Sequence, residues 1–222
     1  MSPATENQVA RPVVDDLPQP VIRELGLKPL PDVWASMQKF TAERTAETAD
    51  EIWFVEHPPV FTLGLRADRA HLLAPGDIPV EQIDRGGQVT YHGPGQMVAY
   101  VLLDLGRLRL NIRALVQALE DAVIDTVAGY GVSAVGRRDA PGVYVDGEKL
   151  AAVGLRVRRN CSYHGLALNV AMDLSPYARI NPCGYAGLRP TQLIDLCGVA
   201  DLARVQRDFA PRLLERLGLK PG

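Results

Sequence analysis

The sequence predicts an α+β fold, a β-sheet flanked by helices, on three observations. Strand-like runs cluster between residues 51 and 170, and helical patterns precede, interrupt and follow them instead of alternating one for one. The run "QMVAYVLLDL" (96–105) is almost continuously apolar, as a central strand covered on both faces has to be. "NIRALVQALEDAVIDTVAGYG" carries the 3.6-residue period of an amphipathic helix. With 47% hydrophobic residues in a chain of 222, there is ample material for one core.

Taken in order, residues 1–18 read as a flexible leader, polar and Pro-containing, ahead of a single domain over 19–222. "PDVWASMQKFTAERTAETAD" has helical composition without internal Gly or Pro, so a helix is expected over about 31–47. "EIWFVEH" reads as a strand, Pro58–Pro59 interrupts it, and "VFTLG" resumes an extended path. Further strands are expected at 81–84, 88–92 and 96–105. Asn111 is a good N-cap for the next helix, with Ile112, Leu115, Val116, Leu119 and Val123 on one face and Gly129 and Gly131 as the stop. "GVYVDGEKLAAVGLRVRR" is a hairpin about the tight-turn pair Asp146-Gly147. "SYHGLALNV" is another strand, 173–190 is irregular, and "VADLARVQRDFAPRLLERLGL" closes the chain as an amphipathic helix.

Composition excludes several function classes. A net charge of −2 and a pI near 6.1 do not suit a general nucleic-acid binder. No run approaches the ~18 apolar residues of a membrane span. Three cysteines without metal spacing do not form a disulfide framework, so a cytoplasmic protein with reduced thiols is expected. Arg outnumbers Lys 20 to 4; codon preference accounts for most of this, although Arg137–Arg138 and Arg156, Arg158 and Arg159 could meet an acidic protein partner.

Three loops stand out chemically. In "DRGGQVTYHGPGQ" (84–96), Gly86, Gly87, Gly93 and Gly95 let the backbone approach a ligand and offer N–H groups to an oxyanion, yet the stretch is neither a P-loop nor a GxGxxG loop. Lys149 follows the hairpin turn, where an isolated lysine is ordinarily a solvated surface residue. Cys183 lies on a turn between Pro182 and Gly184; its thiol becomes a strong nucleophile only beside a positive group or a base. Lys149 and Cys183 would each explain the other's placement. His92 and His164 offer rival arrangements, as a Cys–His pair with Cys183 or as zinc ligands with Cys161, but no HExxH or CxxC supports them. His164 reads better as a pocket-lining or hydrogen-bonded residue, and Cys161 and Cys197 as packing residues.

Together and in order, "EHPPVFTLG", "RGGQVTYHGPGQMVAYVLLDL", "GVYVDGEKLAAVGLRVRR", "CSYHGLALNV" and "INPCGYAG" resemble the lipoyl(octanoyl) transferase family over roughly residues 50–197. The resemblance implies the fold of the biotin/lipoate protein ligase catalytic domain. It also implies transfer of an octanoyl group from octanoyl-acyl carrier protein to a lysine of lipoyl domains, those of 2-oxoacid dehydrogenase complexes and the glycine cleavage H protein. By position, Cys183 would be the acyl-thioester nucleophile and Lys149 its activating partner. Arg85, Gly86, Gly87, Gln88, Val89, Thr90, Tyr91 and His92 would line the acyl pocket, together with Ala152, Val153 and Gly154 and with Gly165, Leu166 and Ala167. No cofactor and no metal are implied. Two alternatives remain open: an ATP-dependent lipoate or biotin ligase on the same fold, and a non-catalytic acyl- or lipoyl-domain-binding protein with a structural Cys183.

Overall fold

The computed structural model describes residues 17–219, apart from the side chain of Cys183. Its elements in chain order are β1 (Val21–Leu27), α1 (Leu30–Glu43), β2 (Glu51–Glu56), β3 (Val60–Leu63), β4 (Val80–Gln82), β5 (Thr90–His92), β6 (Gln96–Leu102), α2 (Ile112–Ala128), β7 (Val135–Gly136), β8 (Gly142–Val145), β9 (Glu148–Arg158), β10 (Cys161–Asn169), α3 (Leu193–Cys197) and α4 (Leu202–Arg216). Short 3₁₀ turns cover Arg69–His71, Ser175–Arg179 and Pro182–Gly184.

A seven-stranded sheet runs β1-β2-β6-β10-β9-β8-β7, and a second, three-stranded sheet runs β4-β3-β5. In the large sheet only β1 and β2 pair in parallel. Helices α2 and α4 cover one face, where Leu115, Leu119 and Val123 meet Phe54, Leu166, Leu168 and Phe209. Helix α1 covers part of the other, with Val33 and Met37 against Trp53, Val98 and Tyr100. Strand β6 is buried at all seven residues because both faces are covered, which is why it reads as one apolar run. The Asn111 side chain accepts the Ala114 N–H at 2.9 Å and starts α2 as expected. Asp146 and Gly147 both take positive φ, 49° and 84°, the pair of left-handed residues a two-residue hairpin turn requires.

Several expected boundaries move. The first helix ends at Glu43 rather than 47, because Thr45 and Thr48 bond locally: the Thr45 N–H donates to Thr48 Oγ1 and the Thr48 N–H to the Thr45 carbonyl. The strands expected at 81–84, 88–92 and 96–105 shorten to β4, β5 and β6, the last ending where Asp104 begins a turn. Ile112 is exposed and leaves the buried face of α2 that it was expected to share. Strand β1 was not anticipated: nearly all its residues are exposed, so it shows no inside–outside alternation, and it is defined by backbone pairing to β2 with an ion pair from Arg23 to Glu51. Short β7 and α3 likewise carry too little pattern to be read. Leu17 packs against the main core, while the expected leader as far as residue 16 lies outside the described residues. Among the described residues no helix is long and apolar enough to cross a membrane.

Candidate active site

Strand register builds an apolar cavity. Ala152 pairs with Ala167 and Gly154 with Gly165 across β9 and β10; Ala167 pairs with Val98 and Gly165 with Tyr100 across β10 and β6. Alternation along a strand puts these six residues on one face, so two alanines and two glycines lie beside Val98 and Tyr100 as a floor. The chain from Ile83 to His92 forms the roof. The result is a cavity of about 50 Å³, lined mostly by apolar atoms and wide enough for a short row of water-sized groups.

Close approach explains the glycines. A Cβ on Gly165 would lie 2.0 Å from the Ala99 carbonyl oxygen, and one on Gly154 would lie 3.2 Å from Arg85 Cδ. The roof is stitched down by the Gly86 N–H, which donates to the Leu155 carbonyl at 2.9 Å, and by Arg85, whose guanidinium donates to Thr62 Oγ1 and to the carbonyls of Thr62 and Gly86.

Of the expected pocket residues, Arg85, Gly87, Gln88, Val89, Thr90 and His92 line this cavity, as do residues 152–154 and 165–167. Two do not. Gly86 spends its backbone on the stitching just described, and Tyr91 turns the other way, against Phe61 and Tyr177. Val153 and Leu166 border the cavity, but their side chains pack into the core on the opposite face, as alternation demands. Ile83, Val98, Tyr100 and His164 complete the lining; the first three carry no local signal beyond being apolar or aromatic, and only His164 was read as lining a pocket.

Polar groups behind the walls are locked and mutually satisfied. His92 Nδ1–H donates to Gln96 Oε1 at 2.7 Å, and Gln96 Nε2 donates to Asn169 Oδ1 at 3.0 Å. Burial, with His57 nearby, pulls the His92 pKa down to about 3, so the ring is neutral. His57 is lowered by burial too; its Nδ1–H donates to the Lys28 carbonyl and its Nε2 accepts from the Tyr100 hydroxyl at 2.8 Å. His164 takes a left-handed φ of 61° within β10 and donates from Nε2 to Asp84 Oδ1 at 2.9 Å. Asp84 also receives Trp34 Nε1–H at 2.8 Å and the Tyr163 hydroxyl. Burial alone would raise the Asp84 pKa, but these three donors outweigh it and hold the carboxylate well below its ordinary range. His92 and His164 are therefore fixed wall residues. Among the described residues, no three His, Cys, Asp or Glu side chains gather as metal ligands, and Cys161 donates instead toward the Arg159 carbonyl, at 3.5 Å.

A second, smaller cleft adjoins the first, sharing Thr90 and Ala152. Lys149, Asn169, Tyr177, Pro182 and Arg189 line it. Lys149 is buried, 6% exposed, contrary to the surface position ordinary for an isolated lysine after a hairpin turn. The 189–191 segment clamps its backbone: its N–H donates to the Arg189 carbonyl at 2.8 Å, and its carbonyl accepts the Thr191 N–H at 3.0 Å. Its Nζ donates to the Pro141 carbonyl at 3.1 Å and lies 5.2 Å from the centre of the Tyr144 ring. Pro182 brings the Pro182–Gly184 turn to this cleft. The Asn181 N–H donates to the His71 carbonyl at 2.8 Å, and the Tyr185 hydroxyl to the Asp139 carbonyl at 3.1 Å, so the turn is anchored on both sides. The expected contact between Lys149 and the Cys183 thiol lies outside the described residues.

Residues 30–214 match the family model of the lipoyl protein ligase A/B catalytic domain. The chain belongs to that family. It is 58% identical over 196 residues to an octanoyltransferase of Pseudomonas entomophila, covering 88% of this chain and 91% of that one. It is 61% identical over 186 residues to an octanoyltransferase of Erwinia tasmaniensis, covering 84% and 83%. Likeness of this degree to enzymes of that name makes the chain an acyltransferase. Solved structures bear out the expected fold. Lipoate-protein ligase A bound with ATP superposes with a TM-score of 0.76 at 14% identity, covering 91% of this chain and 87% of that one. A bi-partite lipoate protein ligase of Thermoplasma acidophilum, studied with its E2 lipoyl domain, gives 0.72 at 14%, covering 91% and 85%. Biotin protein ligase of Aquifex aeolicus gives 0.55 at 13%, covering 90% and 68%.

Proposed function

We propose that the protein transfers an octanoyl group from the thioester of octanoyl-acyl carrier protein to a lysine of a lipoyl domain, through a thioester on Cys183. The observation that carries this reading is the adjacency of the two clefts. An apolar slot floored by Ala152, Gly154, Gly165 and Ala167 runs into a cleft that holds a buried lysine beside the Pro182–Gly184 turn. An acyl chain in the first would present its carbonyl carbon to the second.

Each step conserves atoms and charge. The Cys183 thiolate attacks the donor's thioester carbonyl, the carbon–sulfur bond to the pantetheine arm breaks, and the departing thiolate takes a proton from the Lys149 ammonium. The neutral Lys149 amine then accepts a proton from the attacking lysine of the lipoyl domain, the new amide forms, and Cys183 leaves as thiolate. The first step exchanges one thioester for another and the second runs downhill to an amide, so neither needs ATP. Backbone N–H groups of the glycine-rich roof or of the Cys turn would hold the tetrahedral oxyanion. The apolar slot would supply roughly 0.8 kcal/mol per buried CH₂. On this reading the donor, the acceptor lipoyl domains and the H protein meet the enzyme in the cytoplasm.

Mixing the protein with octanoyl-acyl carrier protein and measuring its intact mass tests the proposal. A covalent octanoyl adduct that maps to Cys183 and is absent in Cys183→Ser is expected. Full activity of Cys183→Ala with ATP and free octanoate would establish a ligase instead, and absence of any adduct a binding protein.

A further inference from the structure

Helix α2 buries a carboxylate that the mechanism above does not use. Glu120, 5% exposed, accepts the Gly142 N–H through Oε1 at 2.6 Å. The carbonyl of Pro141, at the other end of the same peptide unit, accepts Lys149 Nζ at 3.1 Å. One amide thus joins a carboxylate to an ammonium, its positive N–H end toward the acid and its negative oxygen toward the amine. Both charges act in the favourable direction on that dipole. Residue 142 has to be glycine for this approach. Its φ is +140°, and an added Cβ would lie 2.7 Å from Lys149 Cε and 2.4 Å from the Ala151 carbonyl oxygen.

We propose that Glu120 is a positioning residue for Lys149, acting through the Pro141–Gly142 peptide to hold the Lys149 amine in its cleft. The proposal deepens the octanoyl-transfer reading and rests on it for its purpose, since on that reading a Lys149 held in place is what would activate the Cys183 thiol. A carboxylate buried in an amphipathic helix is costly without a partner, and this one spends its hydrogen bond on the peptide that grips the lysine. Burial raises the Glu120 pKa and Asp121 adds to this, while the Gly142 N–H and the Lys149 charge oppose it. The other charged or titratable groups around the pair are Arg113, Arg137 and Arg138 across the groove from Glu120, and Tyr144, Tyr177 and Arg189 beside Lys149.

Glu120→Gln separates charge from shape, because the amide oxygen still accepts the Gly142 N–H. Two readouts on the full chain are needed: the NMR signal of the Lys149 side chain, and the rate at which iodoacetamide alkylates Cys183 across the pH range. With folding intact by thermal melt, Glu120→Gln should shift the Lys149 side-chain resonances and slow alkylation near neutral pH, and in a Lys149→Met background it should change alkylation no further. An unmoved Lys149 signal, or an equal effect of Glu120→Gln with and without Lys149, overturns the inference. If Lys149→Met leaves octanoyl loading intact, the reading beneath it falls, while the Lys149 signal still decides the Glu120 link by itself.

Discussion

The two adjoining clefts are built in different ways. The apolar slot is a product of strand register: its floor is six residues of β6, β9 and β10 brought to one face by hydrogen-bonded pairing. The Lys149 cleft is a product of pinned loops: Glu120 and Lys149 Nζ hold the Pro141–Gly142 peptide, Asn181 and Tyr185 anchor the Pro182–Gly184 turn, and the Lys149 backbone clamps 189–191. A register-built surface does steric work, so added bulk is what it feels most. A loop-built cleft depends on each charge and hydrogen bond. Size should therefore govern one region and charge the other.

The largest expected effect falls in the charge-governed region. Lys149→Met keeps most of the buried stem but removes the amine. Octanoyl loading of Cys183 should slow by about 10²–10⁴-fold, the range for removing a general acid–base group, with only a small change in melting temperature. Stopped-flow loading kinetics beside a thermal melt would show it, and a large stability loss with unchanged kinetics would erase the contrast between the regions. Next comes Gly165→Ala. Its Cβ would collide with the Ala99 carbonyl, so β10 has to shift from β6, and destabilisation of about 2–3 kcal/mol is expected in urea unfolding.

A smaller effect sharpens the steric half. Ala167→Leu adds bulk to the floor without touching a reactive group. Preference should move to acyl chains a few carbons shorter, each lost methylene contact counting for about 0.8 kcal/mol in competition assays between chain lengths. The last, small near neutral pH, concerns the locked walls. Between about pH 6.5 and 3 an unfolded His92 binds a proton that the folded ring refuses, so stability falls as pH drops through that window. Replacing His92 by Asn should flatten the slope by up to about 1.4 kcal/mol per pH unit. Unfolding midpoints measured from pH 7 to 4 would reveal it. The Asp84 carboxylate works lower down: held below its unfolded value, it contributes stability above about pH 4 that is lost as pH falls further.

How far each region could be read from sequence follows from the same difference. The floor was singled out by resemblance, as the whole runs 152–154 and 165–167, and strand alternation explains why Ala152, Gly154, Gly165 and Ala167 are the four that share the cavity face. The same rule, applied strictly, would have turned Val153 and Leu166 toward the core. Lys149 was singled out by resemblance, yet its burial was invisible: nothing beside Asp146-Gly147 says that 189–191 folds back to cover it. Glu120 was the least legible, since an acidic residue in an amphipathic helix looks solvated until the Pro141–Gly142 peptide is seen against it. Edge strand β1 escaped for the opposite reason, a mostly exposed segment organised by backbone pairing to β2 and the Arg23–Glu51 ion pair, neither of which leaves an apolar pattern.

The most direct test is a single-turnover experiment. The octanoyl-enzyme is isolated away from carrier protein and ATP, then mixed with an excess of lipoyl domain. Quantitative passage of the octanoyl group to a lipoyl-domain lysine, at a rate no slower than overall turnover, is the expected result. An acyl-enzyme that stays loaded, or releases its chain only when ATP or carrier protein is restored, would contradict the account.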